Sequence, residues 1–163
     1  MKLEPYWLAS APRFTSGSTE PVEGQVDVAV IGGGFTGLSA ARSLAKTGAR
    51  VAVLEAGRVV GEASGRNGGH CNNGLAHDLG GLAAQIGIER ASALYRVFDD
   101  GVDTVEALVT EEAIDCDFTR TGKIKLAAKP GHFAKLQKSA ELLKATVEPD
   151  LEVVAPDDVQ SEI

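Results

Sequence analysis

A chain of 163 residues, 44% apolar and 24% charged, has the composition of a folded globular protein and is long enough to bury a core. Its net charge of −7 disfavours nucleic acids and anionic membranes, which most of the surface would repel, and leaves a small molecule as the default partner. Cys71 and Cys116 lie far apart, with no CxxC and no histidine at ligand spacing, so the composition points to reduced cytoplasmic thiols rather than a disulfide framework or a metal site.

Residues 1–25 read as a lead-in arm. They contain no apolar run of signal-peptide or membrane length, so neither secretion nor anchoring is expected. Tyr6 and Trp7 in this arm are expected to pack it on the domain surface. Val26–Ile31 is a short β-branched run, the pattern of a strand buried on both faces. A glycine turn follows at once. From Phe35 to Thr47 the apolar positions Leu38, Ala41, Leu44 and Ala45 share one helical face, and Gly48 supplies a stop. Arg50–Leu54 is a second compact apolar run. Strand, turn, helix, strand with a right-handed crossover makes the two strands parallel and the fold class α/β.

After Glu55 the periodicity breaks. Gly57–Gly81 is glycine-rich with no apolar stripe, and reads as a long loop or a series of turns; loops of that length commonly bind something. Residues 26–82 are therefore taken together as one binding domain, and 83–163 as the start of a second. In the latter, Ile88–Val109 reads as a long amphipathic helix. Gly122–Ala128 alternates Ile124 and Leu126 against Lys123 and Lys125, as a strand with one wet face would. His132–Thr146 reads as a charged surface helix and Leu151–Val154 as a further strand.

Chemistry concentrates in the turn Gly32-Gly33-Gly34-Phe35-Thr36-Gly37, which carries the three glycines of a dinucleotide fingerprint. Gly32 permits the tight turn, Gly34 lets the backbone approach a pyrophosphate, and Gly37 lets helix and strand lie close. The free N–H groups and positive end of the helix then face the phosphates. Glu55, followed by Ala56, stands 18 residues after Gly37 at the end of the next strand; its carboxylate suits the two hydroxyls of an unphosphorylated adenosine ribose. FAD and NAD share this fingerprint. What favours FAD is the segment Ala63-Ser64-Gly65-Arg66-Asn67-Gly68-Gly69, a glycine-rich loop where an NAD domain would continue its sheet. It can lay backbone N–H groups, the Ser64 hydroxyl and the Arg66 charge along an extended cofactor.

The run VAVIGGGFTGLSAARSLAKTGARVAVLEAGRVVGEASGRNGG, Val28–Gly69, resembles the N-terminal signature of the D-amino-acid oxidase-like flavoproteins. Within that group it is most similar to the γ-glutamylputrescine oxidase type, whose aromatic lead-in is matched by Pro5-Tyr6-Trp7 and whose loop is matched by Ala63–Gly69. The likeness continues more loosely through Cys116-Asp117 and the Gly122 segment. It implies a Rossmann-like FAD-binding βαβ unit followed by the beginning of a mixed α+β substrate domain. It also implies oxidation of a C–N bond by hydride transfer to FAD, giving an imine that hydrolyses. The cofactor-binding residues it implies are Gly32, Gly34, Phe35, Thr36 and Gly37 at the pyrophosphate, Glu55 and Ala56 at the adenosine, and Ser64, Gly65, Arg66, Asn67, Gly68 and Gly69 along the phosphates and flavin edge.

Members of that group are more than twice as long, so this chain is expected to be an N-terminal portion without turnover by itself. No catalytic side chain is assigned. His70 adjoins the loop and is a candidate proton carrier, though its simpler reading is a loop residue; His77 and His132 read as surface residues. Flavin-dependent oxidation of an amine that arrives neutral requires no side-chain base. Among substrates, γ-glutamylputrescine, other amines, sarcosine-like compounds and D-amino acids all fit. An NAD-dependent dehydrogenase domain and a non-catalytic dinucleotide-binding module stand as the alternative readings.

Overall fold

The computed structural model describes residues 3–74 and 77–162. It divides into two units, Met1–His70 and Cys71–Ile163. The first holds a short helix α1 (Tyr6–Ser10), strand β1 (Val28–Ile31), helix α2 (Phe35–Lys46), strand β2 (Val51–Leu54) and a 3₁₀ turn at Ala63–Gly65. β1 and β2 are parallel in the register Val28↔Val51 to Ile31↔Leu54, with α2 as the crossover that parallel neighbours require. The ladder extends beyond the strands, since Asp27 N donates to Arg50 O at 2.9 Å and Gly32 N to Leu54 O at 2.8 Å. Arg50 fastens the start of the pair through its backbone N–H and its guanidinium, both on the Asp27 carboxylate, which they hold below the usual carboxylate range.

α2 ends as its residues dictate. Thr47 is the C-cap, and Gly48 follows at φ +90°, a conformation that glycine adopts without a Cβ clash. Ala41, the buried position of the helix, lies on the apolar face read from the sequence. The expected βαβ unit is therefore present. Its first strand is shorter than the apolar run, because Val26 lies outside the ladder and is exposed.

The second unit is helical. It contains α3 (Leu79–Ile86), α4 (Ile88–Glu111), α5 (Pro130–Thr146) and a 3₁₀ turn at Val159–Ser161. α3 packs on α4 and α5, and the buried residues there are small apart from Leu79: Ala91, Ser92 and Ala140. Small residues let the helix axes approach closely while Leu79, only 3% exposed, fills the space between. Gly87, at φ +83°, breaks α3 from α4.

Three expectations are corrected here. The C-terminal end of the glycine-rich segment is not loop, because α3 begins at Leu79. Two glycines in its first turn disguise it, but Asp78 caps it by accepting from Gly81 N at 2.7 Å, and burial of Leu79 outweighs the weak propensity. Residues 75 and 76 of that segment lie outside the described residues. Gly122–Ala128 and Leu151–Val154 are not strands either. Both run without regular structure, and no partner strand for them exists among the described residues. The alternation at Ile124 and Leu126 is real, yet a ladder needs a second chain segment to take its N–H and C=O groups, and these two side chains stand 48% and 59% exposed.

The burial pattern sets an ordering of mutational costs in the second unit. Leu79→Ala is expected to lower its unfolding free energy by about 2–3 kcal/mol and Asp78→Ala by about 1 kcal/mol. Leu126→Ala, on an exposed side chain, is expected to stay within about 0.5 kcal/mol of the parent. Urea unfolding followed by circular dichroism checks this order, and equal effects at positions 79 and 126 would contradict it.

Candidate functional site

Parallel strands emerge at the same edge of their sheet, so the turn after β1 and the carboxylate after β2 are neighbours by topology. Gly32 takes φ +99° directly after β1, which turns the chain sharply toward α2. Gly37 lies so close beneath this turn that a Cβ on it would strike the carbonyl oxygen of Gly32 and come within 3.3 Å of Val30 Cγ1. The obstacle is backbone and cannot move aside; glycine is what allows the first turn of α2 to sit against the end of β1.

Glu55 shapes the same turn. Its Oε2 accepts from Gly33 N at 2.7 Å and its Oε1 from Gly57 N at 2.8 Å. These donors, Gly33 first, then Gly57 and more weakly Ala56, hold the carboxyl below the ordinary glutamate range against the small opposing effect of burial. The side chain remains exposed. A carboxylate offers about four lone-pair directions, so the two already used leave acceptor capacity facing outward, suited to a vicinal diol.

At the mouth of α2 the N-cap is Gly34, which has no side chain to satisfy the helix's first N–H groups. The acceptor comes instead from 29 positions along the chain: Phe35 N donates to Ser64 Oγ at 3.0 Å. A Cβ on Gly34 would lie 2.9 Å from that hydroxyl oxygen, so glycine is what keeps the seat open. Upstream, Val60 N donates to Gly33 O at 2.9 Å and ties the approach of the loop to the same turn.

From Ser64 the loop folds on itself into a strap. Asn67 Nδ2 donates to Ser64 O at 2.5 Å and Asn67 Oδ1 accepts from Gly69 N at 2.7 Å. Gly65 is buried and Gly69 takes φ +74°. Arg66 turns back along the strap, with Nε on Gly61 O at 3.3 Å and Nη2 on Glu62 Oε2 at 3.2 Å, and remains about half exposed. Gly68 packs beside the His70 ring, while Phe35 and Thr36 project outward from the first helical turn. The structure thus brings Gly32, Gly34, Phe35, Gly37, Glu55, Ala56 and Ser64 to one edge of the sheet, with Asn67 and Gly69 structuring the strap that continues from it.

Residues that sequence reasoning did not single out support this edge. Arg58 Nη2 donates to Leu8 O at 3.1 Å, and Trp7 Nε1 to Asn67 O at 2.8 Å. Trp7 does pack the arm down, whereas Tyr6 stays exposed and meets the Trp7 ring edge-on, with centroids 4.9 Å apart. In the second unit, Asn73 Nδ2 donates to Asp99 Oδ1 at 2.6 Å and to Glu148 Oε1 at 2.7 Å, while Lys123 Nζ donates to Asn73 O at 2.6 Å. Tyr95, bonded to the same Glu148 oxygen, has its hydroxyl pushed up to about 12 by burial first and by the Glu148 and Asp99 charges after it. Burial, with Lys125 nearby, lowers the Lys123 ammonium. No spacing rule signals such a knot, whose members lie up to 75 positions apart.

Comparison with known proteins identifies the family. Residues 27–162 match the FAD dependent oxidoreductase family, DAO, and the chain belongs to that family. It is 32% identical over 158 residues to the gamma-glutamylputrescine oxidoreductase of Escherichia coli K12, an alignment covering 97% of this chain and 37% of that protein. It is 39% identical over 94 residues to the probable oxidoreductase OrdL of Haemophilus influenzae, covering 58% of this chain and 22% of that one. A probable oxidoreductase OrdL of Rhizobium meliloti is 36% identical over 118 residues, 72% of this chain and 26% of its own. The chain thus spans little more than a third of the E. coli relative's length and less of the other two. No solved structure gives a significant match. The family's cofactor is FAD, and the donor set fits it: a helix start whose cap residue is glycine and an outward-facing carboxylate suit a dinucleotide's diphosphate and ribose. Among the described residues no helix is long and apolar enough to cross a membrane.

The Glu55 bonds carry a pH signature. Because its folded pKa lies below the unfolded value, its stabilising contribution is complete above the ordinary glutamate pKa and is lost as pH falls through the lower folded value. Amide protection at Gly33 and Gly57, corrected for intrinsic exchange, is therefore expected to fall in that acid window. Protection unchanged through it, or equally strong in Glu55→Ala at neutral pH, would show that the carboxylate does not hold the turn.

Proposed function

We propose that this chain supplies the adenosine, diphosphate and part of the flavin contacts of an FAD-dependent oxidoreductase acting on the CH–NH group of an amine or amino acid, with a γ-glutamylputrescine-like compound as the favoured substrate. The observation that carries this reading is the Ser64 hydroxyl seated on the Phe35 N–H, which puts the glycine strap at the mouth of α2. The substrate preference rests on the E. coli relative, whose name specifies gamma-glutamylputrescine and whose alignment covers nearly all of this chain.

In this reading the first turn of α2 binds the diphosphate through backbone N–H groups, and Glu55 takes the ribose hydroxyls on its free lone pairs. Ser64 orients a phosphate from the opposite side, and the strap through Gly69 lies along the flavin edge. Bound there, FAD supplies the two-electron acceptor for cleaving the C–H bond beside the substrate nitrogen. Residues 26–82 form the cofactor-binding region. Residues 83–163 begin the substrate domain.

Ligand-induced thermal stabilisation tests the assignment. FAD at about a hundred times its Kd is expected to stabilise the first unit by about 2.7 kcal/mol, with NAD giving no comparable shift. Gly34→Ala, which displaces the Ser64 hydroxyl, is expected to weaken FAD binding about tenfold or more. A shift produced by NAD and not by FAD would overturn the proposal in favour of a nicotinamide-dependent dehydrogenase. For a protein that extends through the missing portion, faster oxidation of D-amino acids than of γ-glutamylputrescine would overturn the substrate preference alone.

A further inference from the structure

We infer that the N-terminal arm is a clamp on the cofactor strap, with Trp7 as the positioning residue that keeps Asn67–Gly69 closed down toward the mouth of α2. Three contacts carry this, all within the first unit. Trp7 Nε1 donates to Asn67 O at 2.8 Å, a bond that joins residues 60 positions apart. The Trp7 ring stands so close to Gly69 that a Cβ there would run into its Cζ2 atom, and it does so where the backbone is at φ +74°. Leu8 closes on Gly65 in the same way: a Cβ on that glycine would come within 2.8 Å of Leu8 Cδ2 and would strike the Val60 carbonyl.

The glycines of the strap therefore have a use besides approaching a phosphate. Gly65 and Gly69 are the positions at which the arm lies on the strap backbone, and side chains there would lift it off. The arm is in turn held from behind, since Arg58 Nη2 donates to Leu8 O at 3.1 Å. Arg58 and Asn67 belong to one loop, so the arm is fastened to that loop at two points, through Leu8 O and through Trp7 Nε1. Trp7 suits the task because a single indole brings a broad apolar face and one N–H donor, giving both area and direction to the contact.

The strap's own bonds do not suffice to hold it down. Asn67 links Ser64 O to Gly69 N, which fixes the strap's shape but not its placement. Placement comes from the Ser64 hydroxyl at one end and Trp7 at the other. A strap free at its Trp7 end can hinge about Ser64, and the flavin edge would lose its wall while the diphosphate seat survived. The clamp's consequence for cofactor binding rests on the proposed FAD reading; the clamp itself does not.

The experiment uses the full chain, in which Trp7 is the sole tryptophan and so a site-specific fluorophore. Hydrogen exchange is measured at Gly65, Arg66 and Gly69, with Val30, Leu38 and Val53 as internal controls, for the parent, Trp7→Phe and Trp7→Ala. FAD and ADP affinities are then titrated for each. Loss of the indole N–H alone in Trp7→Phe is expected to speed strap exchange about threefold to tenfold, and Trp7→Ala by about tenfold or more. The controls should not move. Trp7→Ala is expected to weaken FAD about tenfold while changing ADP, which lacks the flavin, about threefold or less.

Strap exchange in Trp7→Ala equal to the parent's overturns the clamp. Equal weakening of FAD and ADP, with faster exchange at the control amides, overturns a positioning role in favour of general support of the fold. If Trp7→Ala does not fold, Trp7→Phe and Arg58→Met decide the question: the clamp requires Arg58→Met to speed strap exchange and shift Trp7 emission to the red, and an unchanged emission and exchange rejects it. Should the parent bind no FAD while strap exchange still responds to Trp7, the clamp stands and the cofactor assignment falls.

Discussion

The start of an α-helix leaves backbone N–H groups that no carbonyl of the same helix can reach, and in α2 the cap position is a glycine with nothing to offer them. That deficit organises the first unit. The acceptor provided for the first of those N–H groups is the Ser64 hydroxyl, carried in by a loop that begins only after β2. An acceptor borrowed from a distant loop can be exchanged for, or shared with, a ligand oxygen far more readily than a local cap. The positive end of the helix adds to the preference for an anion there. In the proposed reading the same N–H groups serve both the structure and the diphosphate.

Glu55 shows a similar double use. Two of its lone pairs are spent on Gly33 and Gly57, which bend the loops on either side of it into place and hold the carboxyl below the ordinary glutamate range. A carboxylate left in bulk water would be equally charged but not aimed. With its orientation fixed by two short bonds, its remaining acceptor directions are determined, which in the proposed reading gives a ribose diol a rigid partner. The energetic worth of each bond is modest because the group is exposed, so the benefit lies in geometry more than in stability.

The βαβ unit was readable from the sequence because every signal in it is local: β-branched runs for the strands, a stripe of Leu38, Ala41, Leu44 and Ala45 for the helix, and glycine at both its ends. The glycine turn and the Glu55 carboxylate beside it were readable because a tight strand-to-helix turn demands particular residues at short spacing. What could not be read involves contacts between distant positions. Trp7 and Asn67 are 60 apart, and no period or motif links them. Helix α3 was hidden by Gly80 and Gly81, since its stability comes from burying Leu79 against other helices rather than from its own residues. The error at 122–128 has the opposite cause. There the local pattern is a strand's, but strandhood is conferred by a neighbour, and alternation alone supplies none.

Polar and apolar requirements are met separately in the first unit. A two-stranded parallel sheet is far from the covered arrangement such strands prefer: Ile31, at the end of β1, is 78% exposed, and Phe35 beside it is 63% exposed. The binding edge does not depend on that missing cover. Its bonds run from Glu55 to Gly33, from Phe35 to Ser64, from Val60 to Gly33 and from Trp7 to Asn67, all among residues of the same short unit. The arm makes this division possible, because a clamp of one indole and one leucine over glycine backbone does locally what a larger core would otherwise have to do.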